Sequence, residues 1–224
     1  ESVARKLAHE IKNPLTPIQL TIDRLKNKYE KSISLEEKEN FDNYLKIIIK
    51  QIKQIENLVN EFSDFARMPK PVFHNNDLIS IMRDNIKLLK ELDDGIKIDF
   101  NHNIQQISFN SDKEQLSRVF FNLIKNSIES IQQKTENGTN FNKNITIELN
   151  DLDNHISLII NDNGIGFKNL NKNIKEILDP YFTTKKQGTG LGLSIVNKII
   201  NDHNGNIEFV PNDDGATIKI NFLK

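Results

Sequence analysis

The sequence predicts an α+β protein in two parts, an N-terminal two-helix hairpin followed by an α/β sandwich. Three observations carry that reading. Apolar residues in the first third recur at alternating steps of three and four. Met68-Pro69-Lys70-Pro71 then interrupts the pattern. Beyond it, short apolar runs of strand length alternate with longer helical patterns.

The hairpin comes first. Leu7, Ile11, Leu15, Ile18, Ile22 and Leu25 form one stripe, and Phe41, Leu45, Ile48, Ile52, Ile55, Val59 and Phe62 a second. A 3-4 alternation is the seam of a left-handed helix bundle. The polar stretch from Lys31 to Glu36 is the expected turn. A lone hairpin cannot bury such a seam, so a homodimer forming a four-helix bundle is expected.

Proline lacks a backbone donor and disfavours helical geometry in the residue before it. The expected domains are therefore 1–68 and 69–224. In the second, Leu78 to Leu92 reads as a helix and Ile96 to Phe100 as a short strand. Asp112 to Gln133 reads as a longer helix with Leu116, Val119, Phe120, Leu123, Ile124 and Ile128 facing inward. Ile145 to Leu149 and Ile156 to Ile160 read as strands after a polar loop, Thr135 to Asn144. Gly190 to His203 reads as a helix, and Ile207 to Val210 and Ala216 to Phe222 as closing strands. Helices on one face of a mixed sheet complete the sandwich.

Composition narrows the function. A net charge of −1 gives no bulk pull toward nucleic acid or anionic membrane, so neither is expected as a partner. The absence of cysteine removes disulfides, thiol nucleophiles and Cys-based zinc sites, and fits a cytoplasmic segment. No apolar run reaches the roughly 20 residues of a membrane span, so no direct membrane contact is expected within these residues. The chain starts at Glu1 without an initiator Met, and reads as a piece with sensor or membrane segments upstream.

Four motifs carry chemistry. The first is His9-Glu10-Ile11-Lys12-Asn13-Pro14-Leu15-Thr16-Pro17. His9 falls off the apolar seam, so its ring should face solvent, where a neutral imidazole is a competent nucleophile. Glu10 can accept the ring N–H and leave the other nitrogen free to attack. Pro14 and Pro17 each remove a helix bond just beyond it, which lets the helix bend. Taken alone, a His before a Pro is an ordinary surface residue; the later motifs change that weight. The second is Asn122-Leu123-Ile124-Lys125-Asn126, whose two Asn share a helix face. Their neutral oxygens suit a hard cation such as Mg²⁺ completed by phosphate and water.

The third motif, Asp162-Asn163-Gly164-Ile165-Gly166, breaks an apolar strand. Its carboxylate could accept a hydrogen bond from an adenine amino group, and its glycines allow close backbone approach. The same residues would also make an ordinary turn. The fourth, Gly188-Thr189-Gly190-Leu191-Gly192-Leu193-Ser194, leads into a helix and offers backbone amides to phosphate. It is neither a Walker loop nor a dinucleotide fingerprint.

Together these motifs resemble those of the histidine kinases of two-component systems, across essentially the whole chain. His9 to Pro17 is similar to their phosphoacceptor box, Asn122 to Asn126 to the N box, and Asp162 to Gly166 to the first glycine box. Pro180-Tyr181-Phe182-Thr183-Thr184-Lys185 resembles the phenylalanine-containing box, and Gly188 to Leu193 the second glycine box. Within the family, His9 to Leu20, Phe62 to Pro69 and Tyr181 to Lys185 resemble the nitrogen-regulation sensors.

The resemblance implies a dimeric helical domain joined to an ATP-binding sandwich of the Bergerat (GHKL) type shared with gyrase. It implies ATP and Mg²⁺ as cofactors and a response regulator as partner, with the full-length protein anchored in the bacterial inner membrane. His9 would be the phosphoacceptor, Glu10 its base, and Asn13 the residue that orients water for dephosphorylating the regulator. Asn126 would bind Mg²⁺, Asn122 would line the phosphates and Asp162 would read adenine. Gly164, Gly166, Gly188, Gly190 and Gly192 would shape the pocket, with Phe182, Thr183, Thr189, Leu191 and Leu193 around it. Lys185 would reach phosphate from a lid spanning about Phe167 to Gln187. Two departures, an Asn within His203-Asn204-Gly205-Asn206 where many relatives carry a second Gly and Ile218 for a common Phe, touch none of this chemistry.

Rival readings differ in class. An ATP-hydrolysing relative would carry a carboxylate where Asn122 stands, and an amide cannot act as a base. A kinase-silent dimeric scaffold would not need His9, Glu10, Asn126 and Asp162 together. A phosphatase-dominant role is permitted by Asn13.

Overall fold

The first apolar stripe folds as α1 (Val3–Tyr29) and the second as α2 (Leu35–Ala66). The structure, a computed structural model, describes residues 3–66, 68–91, 93, 95–136, 138, 141–167, 174–183, 188–212 and 214–224. These group into two compact units, 1–69 with 183–191, and 70–182 with 192–224.

In the first unit the apolar seam divides in two. Ala8, Leu15 and Ile22 repeat every seven residues on α1, and Leu45, Ile52 and Val59 do so on α2. All six are buried, Ala8 at 3% exposure and Ile22 at 4%, and Leu15, Ile22, Leu45 and Ile52 form one cluster with Phe41 and Ile49 against it. Heptad spacing keeps one stripe on the helix–helix contact. Five other seam residues point elsewhere: Leu7, Ile11, Ile18, Ile48 and Ile55 are each between 43% and 46% exposed. The sequence reading placed all of them in one seam and omitted Ala8. A single hairpin buries only the inner stripe.

α1 runs unbroken through Pro14 and Pro17, so the anticipated disruption does not appear in its secondary structure. Inner-stripe residues on both sides of the prolines hold the two halves against α2. The turn closes with Ser32 and Ile33 N–H groups donating to the Tyr29 carbonyl at 2.9 and 3.1 Å. Ser34 and Glu37 then cap α2: the Glu37 N–H donates to Ser34 Oγ, and that hydroxyl donates to Glu37 Oε2, both at 3.3 Å.

The second unit is a five-stranded sheet of order β2-β4-β5-β7-β6, with β2 (Lys97–His102), β4 (Asn144–Asp151), β5 (His155–Asp162), β6 (Gly205–Asn212) and β7 (Gly215–Leu223). β2 and β4 are parallel and every other pair is antiparallel. β5 alternates strictly, with Ile156, Leu158, Ile160 and Asp162 on the buried face. Alternation of this kind marks a sheet covered on one side. The buried stripes of α3 (Leu78–Lys90), α4 (Lys113–Glu136) and α5 (Gly192–Asp202) complete the core.

β1 (His74–Asp77) and β3 (Ser108–Ser111) pair as a separate antiparallel ribbon. The sequence reading missed both, because His-Asn-Asn-Asp and Ser-Phe-Asn-Ser carry no readable alternation. Asp77 joins them to α3, accepting from Ile79 N–H and Ile107 N–H at 3.1 Å each. Asp112 caps α4 by accepting from Gln115 N–H at 3.0 Å. It also accepts from Val72 N–H at 2.8 Å, and its own N–H donates to His203 Nε2 at 3.0 Å. Phe73 meets the buried His203 ring edge-on at 5.1 Å. The chain following Pro71 is thereby tied to the start of α4 and the end of α5.

Candidate functional site

On α1, the burial of Ala8 turns the next residues outward. His9 and Glu10 are exposed, and so is Asn13, one turn further on. Consecutive residues stand about 100° apart round a helix, so His9 and Glu10 lie side by side on the outer surface.

α4 builds the other chemistry. Val119, Leu123 and Ile124 are fully buried, and Asn122 and Asn126 lie half-buried beside them. The four-residue step continues to Ser130 and Lys134, so one edge of α4 is polar along its length. That edge faces the end of β5. The strand period points Asp162 inward, leaving its carboxylate only 6% exposed. Burial pushes the Asp162 carboxyl above its ordinary value. The Gly164 N–H, which donates to the Asp162 carboxylate, opposes that rise, as do the nearby Ala216 N–H and the charge of Lys134.

The loop after Asp162 is clamped from several directions. Gly164 N–H donates to Asp162 Oδ1 at 3.0 Å, and Ile165 N–H to Ser130 Oγ at 3.0 Å. Lys134 Nζ donates to the Asn163 carbonyl at 2.8 Å and to Asp214 Oδ1 at 2.5 Å. Asn163 Nδ2 donates to the Asn142 carbonyl at 2.6 Å, and Asn163 Oδ1 accepts from Asn144 N–H at 2.9 Å. The glycines are sterically required. A Cβ on Gly164 would lie 2.2 Å from Ser130 Oγ, and one on Gly166, at φ +64°, 2.1 Å from the Gly215 carbonyl oxygen. Ser127, Ser130 and Lys134 were not singled out from sequence. For Ser130 and Lys134 the polar four-residue rhythm from Asn122 was the available signal; Ser127 lies off it.

α5 begins at Gly192, where a Cβ would lie 3.9 Å from Asn122 Oδ1, so its first turn adjoins the amide edge of α4. Leu193 follows in that first turn, half-buried. The expected helix start at Gly190 moves to Gly192, because Gly190 has φ +72°, outside helical geometry. Gly188, Thr189, Gly190 and Leu191 group with the helical unit. There Thr189 Oγ1 donates to Glu61 Oε2, and Leu191 N–H donates to Thr189 Oγ1 at 3.3 Å. Thr183 groups with them and is exposed. Phe182, half-buried, stays in the sheet unit, its N–H donating to the Asp179 carbonyl at 3.2 Å. Lys185 and much of the expected lid, 168–173 and 184–187, lie outside the described residues.

Among the described residues no cluster of three or more His, Cys, Asp or Glu could hold a metal ion. The donor set beside Asp162 is instead neutral amide oxygen, which fits a hard cation that arrives with phosphate oxygens. No described helix is long and apolar enough to cross a membrane.

Residues 1–71 match the model of the His Kinase A (phospho-acceptor) domain, and residues 111–224 that of the histidine kinase-, DNA gyrase B-, and HSP90-like ATPase, which implies ATP binding. The chain belongs to the sensor histidine kinases, in which a phosphoacceptor helical domain precedes an ATPase domain. Its likeness within them is to the NtrY group. It is 40% identical over 221 residues to the NtrY-like sensor histidine kinase of Rickettsia prowazekii, covering 98% of this chain and 35% of the relative. It is 37% identical over 220 residues to the nitrogen regulation protein NtrY of Azorhizobium caulinodans, covering 97% and 28%. The chain thus spans about a third of the length of these curated relatives. Among solved structures, histidine kinase ThkA in complex with the response regulator protein TrrA superposes with a TM-score of 0.66 at 25% identity, over 98% of this chain and 60% of that one. Full-length ShkA shares the fold, with a TM-score of 0.69 at 17% identity over 98% and 44%.

Proposed function

We propose that the chain is the ATP-dependent protein-histidine kinase core of a longer nitrogen-regulation sensor. It would phosphorylate its own His9 and pass the phosphoryl group to an aspartate of a response regulator. The observation that carries this reading is the pairing of two features in one chain. One is a buried, clamped Asp162 beneath the amide edge of α4. The other is an exposed His9-Glu10 pair on α1.

The residues divide the work. Asp162 accepts a hydrogen bond from the adenine amino group, and Gly164 and Gly166 leave room for the base. Asn122 lines the phosphates, and Asn126 is the protein ligand for Mg²⁺. Bound Mg²⁺ supplies charge neutralisation on the triphosphate oxygens. Gly188, Gly190 and Gly192 offer amides to the same oxygens, with Thr189, Leu191 and Leu193 between and beside them, and Phe182, Thr183 and Lys185 belong to the lid. A free ring nitrogen of His9 attacks the γ-phosphorus while Glu10 accepts the proton held on the other nitrogen. The bond from phosphorus to the bridging oxygen breaks and ADP leaves with that electron pair. The Pro69-Lys70-Pro71 joint, at a domain boundary between 68 and 69, lets the two domains approach each other.

The outer stripe of Leu7, Ile11, Ile18, Ile48 and Ile55 supports a homodimer completed as a four-helix bundle. The relative solved with a response regulator supports that class of partner. The greater length of the relatives supports further segments in the whole protein; that these lie upstream and anchor it in the membrane, with the present segment cytoplasmic, belongs to the same proposal. A second reading has a specific observation behind it. Asn13 is exposed one turn beyond His9, where its amide can orient a water toward a phosphorylated regulator.

The test is tandem mass spectrometry of the chain after incubation with Mg-ATP, handled under alkaline conditions. Phosphate is expected on His9 and absent from a His9→Gln variant that still binds ATP. Phosphate only on Ser or Thr, or none in a chain that binds ATP, would sink the reading.

A further inference from the structure

β2 is the last strand on its side of the sheet and hydrogen-bonds only to β4 among the described residues. A groove runs the length of its free edge, in two adjoining hollows of about 410 and 390 Å³. α3 forms the other wall and runs antiparallel to the strand, with Arg83 at the His102 end and Lys90 at the Ile96 end.

The wall is basic. Arg83, Lys87 and Lys90 are all exposed and spaced four and three apart, so they share one face of α3. No ion pair joins any of them to a carboxylate among the described residues. Asp99 and Lys97, which line the second hollow, neutralise each other at 2.7 Å, so the unpaired charge of the groove is that of the α3 wall. The floor is apolar, with Ile86 and Ile98 beneath. Arg83 is held in place: its Nη2 lies 3.1 Å from His102 Nε2, and His102 Nδ1 lies 2.7 Å from the Ile104 carbonyl. With the proton on Nδ1, Nε2 accepts from Arg83 and leaves the guanidinium's other donors for a ligand.

An edge strand offers unpaired backbone groups to another chain. The shape is that of an extended segment, since both hollows follow the strand rather than forming one compact pit. We propose that β2 takes up an acidic extended segment of a partner protein as an added strand, its alternate glutamates reaching Arg83, Lys87 and Lys90. Alternate residues of a strand repeat every ~6.6 Å. The three cations are spaced by ~6 and ~4.5 Å along the α3 axis. Three successive alternate side chains therefore meet three cations. Glutamate suits the site because its methylenes lie over Ile86 and Ile98 while its carboxylate reaches the rim. This surface is independent of nucleotide chemistry.

The test uses a fluorescein-labelled peptide, acetyl-Thr-Glu-Thr-Glu-Thr-Glu-Thr-amide, titrated with the chain and followed by anisotropy. Two N-methylated versions accompany it, one methylated at every Thr and one at every Glu. A strand offers alternate N–H groups to its neighbour, so one version is expected to lose binding and the other to keep it. Binding is also expected to weaken at least tenfold in Arg83→Glu/Lys87→Glu, with circular dichroism and ATP binding unchanged. No binding to the wild type at ~1 mM chain would overturn the proposal. Equal binding of both methylated peptides with displacement by inorganic polyphosphate would also overturn it, since the surface would then be a general polyanion patch.

Discussion

The helical unit and the sheet unit solve the same problem differently. The sheet unit buries its apolar residues within itself: Leu123, Ile124, Leu158, Val196 and Ile220 have no exposure at all. The helical unit buries one heptad stripe and leaves a second, with Ile18 at 45% and Ile55 at 44% exposure. One unit covers its apolar core within itself, and the other leaves a second apolar stripe uncovered. The placement of function follows from this. Under the proposed function, the nucleotide-facing residues would sit where a closed core can hold them rigidly, and the nucleophile on the surface of the unit with the uncovered stripe.

The largest effect that could break this contrast lies in the inner stripe. Ile22→Ala is expected to destabilise the helical unit by about 2–5 kcal/mol, because it empties a packed site. In denaturant titrations the sheet unit should keep its own transition. Loss of both transitions together would mean that the units are not independently stable. Ile48→Glu, on the outer stripe, should leave the hairpin folded but shift sedimentation toward monomer. An unchanged mass would show that the outer stripe is not an interface.

Next in size is Asp162→Asn. It is expected to weaken ATP binding by about 10- to 100-fold, the worth of a charge-assisted hydrogen bond. The same change should not weaken folding at neutral pH. Because burial raises the Asp162 carboxyl, the stability gained by keeping it protonated is present at low pH and lost as pH rises through its folded-state value. The variant should lack that slope. Calorimetry with and without ATP separates the two effects.

Smaller again is Ser130→Ala. It leaves Ile165 N–H without its partner and should cost about 1 kcal/mol, seen as faster amide exchange across Gly164 to Gly166. The smallest effect concerns Asp112. Burial raises its carboxyl, but N–H donors from Val72, Gln115 and Glu114 and the charge of His203 reverse this, leaving it below its ordinary value. Its contribution is therefore full above that ordinary value and lost as pH falls through the lowered one. Asp112→Asn should flatten the loss of stability below about pH 4.

The sequence carried much of this, unevenly. α4 and β5 were readable because their apolar rhythms, Leu116 to Ile128 and Ile156 to Ile160, match a single period. Asp162 was readable because it ends such a rhythm with turn residues. β1 and β3 were not, since polar four-residue strands have no rhythm and depend on Asp77 and on each other. The seam of α1 was readable as apolar but not as two stripes. Which of Ala8 and Leu7 faces α2 is settled by packing, and alanine gives little periodic signal. Ser130 and Lys134 act through loops distant in sequence, so only the folded chain shows what they hold.

Under the proposed function, the Asp162 site and His9 are two halves of one phosphoryl-transfer reaction. The most direct measurement runs that reaction backward. The chain is phosphorylated with γ-labelled Mg-ATP, freed of nucleotide, and given Mg-ADP. Labelled ATP is expected to form, because a phosphoramidate on His9 can return its phosphoryl group to bound ADP. A His9→Gln chain, which takes up no label, should yield none, and an Asp162→Asn chain taken through the same steps should yield far less. Label that stays on the protein in the presence of ADP, or ATP formed equally by the His9→Gln chain, would contradict the claim.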